Sequence, residues 1–143
     1  MKRQTILVVD DEPDFRELVT YRLQREGFEI LTAGDGLEAL RQAQWRAPDL
    51  ILLDLMLPEL DGLSVCEILR RHPETAGIPI IMLTACASEP LRNYGLENGA
   101  QVYLTKQVSQ AELVQWIHSV LLGSFKFQAD AVSRNPPPKL GRR

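Results

Sequence analysis

Residues 51–62 read ILLDLMLPELDG, an apolar run that one carboxylate, Asp54, interrupts. Continuous apolar runs of this kind are typical of strands that are covered on both faces of a parallel sheet. A buried, ionised carboxylate costs free energy unless it is paired with a cation or binds a metal ion. The stretch therefore predicts a buried central strand that ends at Asp54, and it predicts a cationic or metal partner for that side chain.

Four other short apolar runs have the same character. Together with the first they give the predicted strands Thr5–Val9, Glu29–Thr32, Leu50–Leu53, Ile80–Leu83 and Val102–Leu104. The segments that follow the strands place apolar residues at helical spacing. The last helix has the clearest start, a capping box of Ser109 and Glu112, and is predicted to end at Gly123. Because strands and helices alternate, the sequence predicts an α/β, flavodoxin-like doubly wound (βα)5 fold with five parallel strands in the order 2-1-3-4-5.

The composition indicates one ordinary globular domain. The chain has 143 residues, of which 45% are hydrophobic, and this is enough for a single core. A formal net charge of -3 provides no basic field that would attract nucleic acid. The two cysteines lack the spacing of a disulfide framework or a zinc site, and no stretch is long enough to span a membrane. We expect a cytoplasmic domain without membrane contact and without direct nucleic-acid binding by this chain.

The pattern changes after Gly123, where residues 124–143 read SFKFQADAVSRNPPPKLGRR. This segment has no sustained hydrophobic period, contains three consecutive prolines and ends in basic residues. We therefore predict a domain in residues 1–123, followed by a flexible, basic, Pro-rich tail or linker remnant in residues 124–143.

Polar residues follow the predicted strands at the ends that meet on one edge of the sheet. These residues are Asp10, Asp11, Asp54, Thr84 and Lys106. Taken singly, each has an ordinary explanation as a helix cap, a partner of a helix dipole or a solvated lysine. Taken together they converge where open α/β sheets bind ligands. Clustered carboxylates suit Mg²⁺, and a hydroxyl with an ammonium suits a phosphoryl group, so the edge predicts phosphoryl chemistry.

Five motifs occur in order along residues 4–122. They are VVDDEPD, PDLILLDLMLPELDG, PIIMLTA, GLENGA and YLTK. This ordered set resembles the response-regulator receiver domain (CheY-like) of two-component signal transduction systems. The resemblance implies that Asp54 accepts a phosphoryl group from a phosphohistidine on a histidine kinase or a histidine phosphotransfer protein. It also implies a signalling domain that largely catalyses its own phosphorylation and dephosphorylation, and not an enzyme with a separate substrate.

The resemblance implies a role for each acid at this edge. Mg²⁺ would be bound by the carboxylates of Asp11 and Asp54 and by the backbone carbonyl of Met56. Asp10 would act mainly through a bound water. Lys106 would pair with Asp54 first and with the phosphoryl group afterwards.

The resemblance also implies how the domain would switch. The hydroxyl of Thr84 would bond to a phosphoryl oxygen and move inward. Tyr103, at the position of the family's switch aromatic, would then fill the vacated space. The output surface would comprise the fourth helix, the fifth strand and the fifth helix, and it would contact a downstream effector or output domain.

The sequence departs from the common receiver pattern in two places. Gln101 and Val102 replace an acidic pair, which, together with Trp116, indicates a different dimer or a heterologous partner on the output surface. A core position for Trp116 is equally consistent with its helical spacing. Gln107 replaces a proline that usually follows a cis bond, and a cis bond before a non-proline residue costs about 2.5–4 kcal/mol. We therefore predict a trans or visibly strained cis Lys106–Gln107 peptide, which leaves the placement of the Lys106 ammonium open.

Three alternative functions are compatible with parts of the pattern. A phosphorylation-independent receiver-like interaction module is kept open by Gln107, although every residue of the phosphoryl site is present. A phosphohydrolase of the haloacid dehalogenase class needs an acid two residues after its nucleophile, where this chain has Met56. A flavodoxin needs a phosphate-binding loop rich in Ser, Thr and Gly, and none follows the first predicted strand.

Overall fold

The structure of the chain is a computed structural model, which describes residues 3–123. Strands and helices alternate along these residues. The elements are β1 Thr5–Val9, α1 Pro13–Arg25, β2 Glu29–Ala33, α2 Gly36–Arg46, β3 Leu50–Leu53, α3 Gly62–Arg71, β4 Ile80–Thr84, α4 Glu89–Glu97, β5 Val102–Thr105 and α5 Gln110–Leu121. All five predicted strands are confirmed to within one residue at each end. The predicted tail, residues 124–143, lies outside the described residues, so the domain boundary after Gly123 stays a prediction.

The five strands form one parallel sheet in the order β2-β1-β3-β4-β5, which confirms the predicted topology. The register pairs Val9 of β1 with Leu53 of β3, and Leu53 with Met82 of β4. The carboxyl ends of β1 and β3 are therefore level, and β4 continues two residues further, to Thr84. This alignment brings the residues that follow β1, β3 and β4 to one edge of the sheet.

Both faces of the sheet are covered, which explains why the strands are apolar throughout. Ile6 and Val8 point into a core beneath α1 and α5, whereas Leu7 and Val9 point into a second core beneath α2, α3 and α4. Burial of each such side chain contributes roughly 1.5–3 kcal/mol. Trp116 is 2% exposed and belongs to the core beneath α1 and α5. The interpretation that put Trp116 on the output surface is therefore wrong, and the core position is confirmed.

The last helix begins and ends where the sequence predicts. The hydroxyl oxygen of Ser109 accepts a hydrogen bond of 3.0 Å from the backbone N–H of Glu112, as the capping box requires. The helix ends at Leu121, and Gly123 has a φ of 78°, a conformation that favours glycine and stops a helix. Within residues 3–123, none of the helices has both the length and the apolar character needed to cross a membrane.

The loop between β3 and α3 folds back over the end of β3. The N–H of Gly62 donates to the carbonyl of Leu55 at 2.9 Å. A Cβ atom at position 62 would collide with the carbonyl oxygen of Asp54 and would lie 2.7 Å from the Cα of Leu55. Only glycine allows this approach. The Gly62 of the opening stretch therefore fixes the loop against the backbone of Asp54.

Candidate functional site

Three carboxylates meet at the carboxyl edge of the sheet. The backbone N–H of Asp54 donates to Val9 at 3.0 Å, and that of Asp10 donates to Ala33 at 3.1 Å, so both residues continue the ladders of their strands. Carboxylate oxygens of Asp10, Asp11 and Asp54 all lie within 4.8 Å of one another. Asp10 and Asp54 are buried, and Asp11 faces solvent. The site is thus a small acidic cluster that is open on one side.

Lys106 is the cationic partner that the buried Asp54 requires. Its Nζ lies 2.8 Å from Oδ2 of Asp10 and 3.2 Å from Oδ2 of Asp54. The other oxygen of Asp54, Oδ1, accepts a hydrogen bond of 3.1 Å from the backbone N–H of Met56. Both oxygens of Asp54 are therefore held, and Lys106 reaches the site although Gln107 follows it. The isomer of the Lys106–Gln107 peptide and the metal contact of the Met56 carbonyl stay predictions.

Two further residues contact Lys106, and the sequence interpretation did not assign them to the site. Oε1 of Glu12 lies 3.0 Å from Nζ, and the ring centroid of Phe15 lies 4.5 Å from it. Lys106 is 94 residues from Glu12 in the chain, so no local pattern indicates this contact.

The site holds more negative charge than one lysine neutralises. Burial raises the pKa of Asp10 above its usual range and the charge of Asp54 adds to this, while hydrogen bonding to Lys106 opposes it. Burial alone would lower the pKa of Lys106, but its hydrogen bonds with Asp10 and Glu12 and the nearby Asp54 raise it overall. Lys106 is therefore an ammonium, and the remaining negative charge favours a bound cation.

The donor set of the cluster fits Mg²⁺. All its ligand atoms are carboxylate oxygens, which this hard cation prefers, and they come from three residues that lie close together. One of the three acids is exposed, which suits an ion that keeps several of its waters. These features agree with the predicted cofactor.

Thr84 and Tyr103 lie on the two strands next to this cluster. Thr84 ends β4, is fully buried, and its hydroxyl oxygen accepts from the N–H of Cys86 at 3.5 Å. The ring of Tyr103 is 5% exposed, and its hydroxyl donates to the carbonyl of Cys86 at 2.7 Å. Burial, with the nearby Cys86 and Asp54, raises the pKa of Tyr103 to about 12. The structure therefore connects the predicted switch pair through one residue of the β4–α4 loop.

The two residues that replace the common acidic pair have internal roles. Val102 is buried in the core beneath α1 and α5. Oε1 of Gln101 accepts from the N–H of Ile80 at 2.8 Å and from Nη2 of Arg70 at 3.2 Å. Arg70 also donates to the carbonyls of Ala76, Ile78 and Gly99. Gln101 thus joins α3, β4 and β5 at the opposite edge of the sheet.

Comparison with known proteins identifies the family. The sequence model of the response regulator receiver domain matches residues 6–118. This chain belongs to the response regulator receiver domain family. The membership supports a signalling domain of two-component systems over the haloacid dehalogenase and flavodoxin alternatives.

Individual relatives agree with this family. The chain is similar to the alkaline phosphatase synthesis transcriptional regulatory protein PhoP of Bacillus subtilis, with 47% identity over 116 residues. The aligned region covers 81% of this chain and 48% of PhoP. It therefore spans about half the length of the curated relatives it matches.

Solved structures share the fold over their whole length. The receiver domain of the Francisella response regulator 1452 is 31% identical and superimposes with a TM-score of 0.79, covering 85% of this chain and 99% of that domain. The receiver domain of the sensor histidine kinase PA1611 from Pseudomonas aeruginosa is 35% identical, with a TM-score of 0.77 and the same coverage. That structure has a magnesium ion coordinated in its active-site cleft.

Proposed function

We propose that this receiver domain accepts a phosphoryl group on Asp54 from a phosphohistidine of a histidine kinase or a histidine phosphotransfer protein. The observation that supports this best is the buried carboxylate of Asp54, 3.2 Å from the ammonium of Lys106 within an acidic cluster at the sheet edge. A carboxylate in this setting is a nucleophile whose surroundings are arranged to receive an anionic group.

The reaction exchanges one bond to phosphorus for another. An oxygen of Asp54 attacks the phosphorus in line, the phosphorus–nitrogen bond of the phosphohistidine breaks, and the leaving imidazole nitrogen takes up a proton. Lys106 and the hydroxyl of Thr84 would donate hydrogen bonds to phosphoryl oxygens, where negative charge accumulates. These three side chains end or follow β3, β4 and β5, so they lie at one edge of the sheet before the phosphoryl group arrives. The domain would thus catalyse its own modification and, with water as the attacking group, its own dephosphorylation.

Mg²⁺ would be held by Asp11 and Asp54, by the backbone carbonyl of Met56, and by Asp10 mainly through a water. When bound, the ion would offset the repulsion between the carboxylates and the phosphoryl group. Lys106 and Asp10 act beside the ion. Lys106 keeps its charge next to Asp54, and the buried Asp10 holds Lys106 at 2.8 Å.

Phosphorylation would act through Thr84 and Tyr103. Drawing the Thr84 hydroxyl toward a phosphoryl oxygen changes the β4–α4 loop, to which the Tyr103 hydroxyl is bonded through Cys86. A cavity of about 510 Å³ next to Tyr103 is lined by residues of α4, β5 and α5, including Arg92 and Glu112. We propose that this surface is where a downstream effector or output domain reads the phosphorylated state.

The partners follow from this role. The curated relatives are transcriptional and DNA-binding regulators about twice as long as the region they share with this chain. We infer that any DNA binding would belong to an output domain or a separate effector and not to this receiver domain, which acts in the cytoplasm. Because Val102 and Trp116 are buried and Gln101 is bonded to Arg70, none of the three gives a reason to expect a dimer on the output surface.

The decisive experiment is intact-protein mass spectrometry after incubation with acetyl phosphate and Mg²⁺. The wild-type protein is expected to gain one phosphoryl group, and the Asp54→Asn variant none. Beryllofluoride, which mimics the phosphoryl group, should bind only the wild type. If the wild type gains no phosphoryl group and beryllofluoride does not bind, the phosphorylation-independent interaction module becomes the better description.

A further inference from the structure

The start of α1 contributes two contacts to Lys106 that the proposed reaction does not use. Glu12 places a carboxylate oxygen 3.0 Å from Nζ, and Phe15 presents its ring 4.5 Å from the same atom. Both residues lie in the segment that follows Asp10 and Asp11. Neither is one of the three acids that cluster for a metal ion.

The ammonium of Lys106 is shared among three carboxylates. It has three N–H groups, and three carboxylates lie within 3.2 Å of its nitrogen, those of Asp10, Glu12 and Asp54. Glu12 accepts a hydrogen bond of 3.0 Å from Nζ, so it competes with Asp54, and with a phosphoryl group on Asp54, for the ammonium. Glu12 is the partner best able to leave, because its side chain is 65% exposed, whereas those of Asp10 and Asp54 are buried.

Phe15 holds the ammonium in a different way. Attraction between a cation and the face of an aromatic ring does not use up an N–H donor and is significant within about 6 Å of the ring centroid. One side of Phe15 packs against the core beneath α1 and α5, so the ring has a fixed support. The contact can therefore persist while the N–H groups change partners. This restraint matters here because Gln107 replaces the proline that commonly follows the lysine.

We propose that Phe15 and Glu12 are positioning residues for Lys106 with opposite effects on phosphoryl transfer. Phe15 keeps the ammonium beside Asp54 and so promotes the transfer. Glu12 draws the ammonium toward the start of α1, away from the phosphoryl group on Asp54, and so slows the transfer. The inference rests on the proposed role of Asp54 as phosphoacceptor.

Proton NMR of the metal-free protein tests the placement without any phosphorylation. Because Nζ of Lys106 lies over the face of the Phe15 ring, the resonance of the adjacent Cε protons is expected upfield of that of ordinary lysines. Phe15→Leu should abolish the upfield shift, and Phe15→Tyr, which keeps the ring, should preserve it. Thermal unfolding of each variant shows that it remains folded. An identical Lys106 resonance in wild type and Phe15→Leu would overturn the placement.

Phosphorylation kinetics test the consequence for Phe15. The rate constant with acetyl phosphate at saturating Mg²⁺, followed by intact mass, is expected to fall about 2- to 5-fold in Phe15→Leu. Phe15→Tyr should keep a rate close to that of the wild type. In a Lys106→Ala background, Phe15→Leu should have no further effect, because the group that it positions is gone.

The same kinetics test Glu12 with a matched control. Glu12→Gln is expected to raise the rate constant about 2-fold, because a neutral amide oxygen holds the ammonium of Lys106 less strongly than a carboxylate does. Asp14→Asn removes one negative charge from the same end of α1 and should raise the rate constant less than Glu12→Gln does. The inference is overturned if wild type is phosphorylated but Phe15→Leu matches Phe15→Tyr, or if Glu12→Gln is no faster than Asp14→Asn. Absence of any phosphorylation in the wild type would instead contradict the role of Asp54, and the NMR result would still decide the placement.

Discussion

The hydroxyl of Tyr103 donates a hydrogen bond of 2.7 Å to the backbone carbonyl of Cys86. The N–H of the same residue, Cys86, points to the hydroxyl oxygen of Thr84 at 3.5 Å. One residue of the β4–α4 loop is therefore bonded on one side to the candidate phosphoryl site and on the other to β5. A change at Thr84 has a direct physical route to the aromatic ring next to the proposed output surface.

The hydrogen bond of Tyr103 should contribute to stability. Tyr103→Phe removes the donor and leaves the ring, and we expect the free energy of unfolding to fall by about 0.5–1.5 kcal/mol. Urea unfolding followed by circular dichroism measures this difference. Tyr94→Phe is the matched control, because Tyr94 is exposed on α4. Equal stability of the two variants would mean that the hydrogen bond from the Tyr103 hydroxyl to Cys86 does not stabilise the fold.

Gly95 of α4 makes room for the buried ring. A Cβ atom at this position would lie 3.2 Å from Cδ2 of Tyr103, closer than ordinary packing allows. Gly95→Ala is therefore expected to push the ring of Tyr103 outward and to offset the roughly 0.5–1 kcal/mol that replacing a helical glycine by alanine normally provides. A soluble paramagnetic probe should then relax the ring protons of Tyr103 more strongly than in the wild type.

Gly77→Ala is the control for this experiment, because a Cβ atom at position 77 would meet nothing within 4 Å. The relaxation of Tyr103 should be unchanged in this variant. If Gly95→Ala also leaves the relaxation unchanged, the ring has enough space to stay buried, and α4 does not restrain the aromatic residue.

Much of the site could be predicted because it depends on topology. Asp10, Asp54 and Thr84 follow parallel strands, and the carboxyl ends of such strands meet whatever the details of packing. The contacts of Lys106 with Glu12 and Phe15 could not be predicted, since they depend on how far a long side chain reaches toward α1. The role of Gln101 was missed for the same reason: its partner, Arg70, lies far away in the sequence, on α3. Helical spacing left the position of Trp116 undecided, because spacing shows which residues share a face of the helix but not whether that face is covered.

The thiol of Cys66 should make the domain sensitive to alkaline pH. Burial in α3 raises its pKa from 9.0 to about 11, although the charge of Arg70 opposes this. A folded-state pKa above the unfolded one means that the folded protein holds the proton more tightly. The protonated thiol therefore stabilises the folded state fully below about pH 9. This contribution to the free energy of unfolding, about 3 kcal/mol in total, is lost as the pH rises toward 11.

Urea unfolding at pH 8 and pH 10.5 in the presence of a reductant measures this loss. Cys66→Ser keeps a hydrogen-bond donor for the carbonyl of Asn98, which the thiol contacts at 3.2 Å, but it does not titrate in this range. Its stability should therefore fall less between the two pH values than that of the wild type. Cys86→Ser, at a partly exposed position, should behave like the wild type. The same pH dependence in all three proteins would assign the loss to other groups.

Binding of Mg²⁺ should stabilise the fold through the three clustered acids. A ligand that binds only the folded state raises its stability by RT ln(1 + [L]/Kd), so the melting temperature should rise with the concentration of Mg²⁺. Asp11→Asn is expected to remove most of this rise, because Asp11 supplies one of the clustered carboxylates and is exposed enough to be replaced without unfolding the domain. Differential scanning fluorimetry over a Mg²⁺ titration measures the effect.

Asp14→Asn separates a specific site from general screening of negative charge. It removes one charge from the start of α1, as Asp11→Asn does nearby, but Asp14 is not one of the three clustered acids. The variant should keep the response of the wild type to Mg²⁺, and addition of EDTA should reverse that response. If Asp14→Asn and Asp11→Asn lose the response equally, the cation is attracted by the net charge of this end of the domain. The carboxylates of Asp10, Asp11 and Asp54 would then not act together as its ligands.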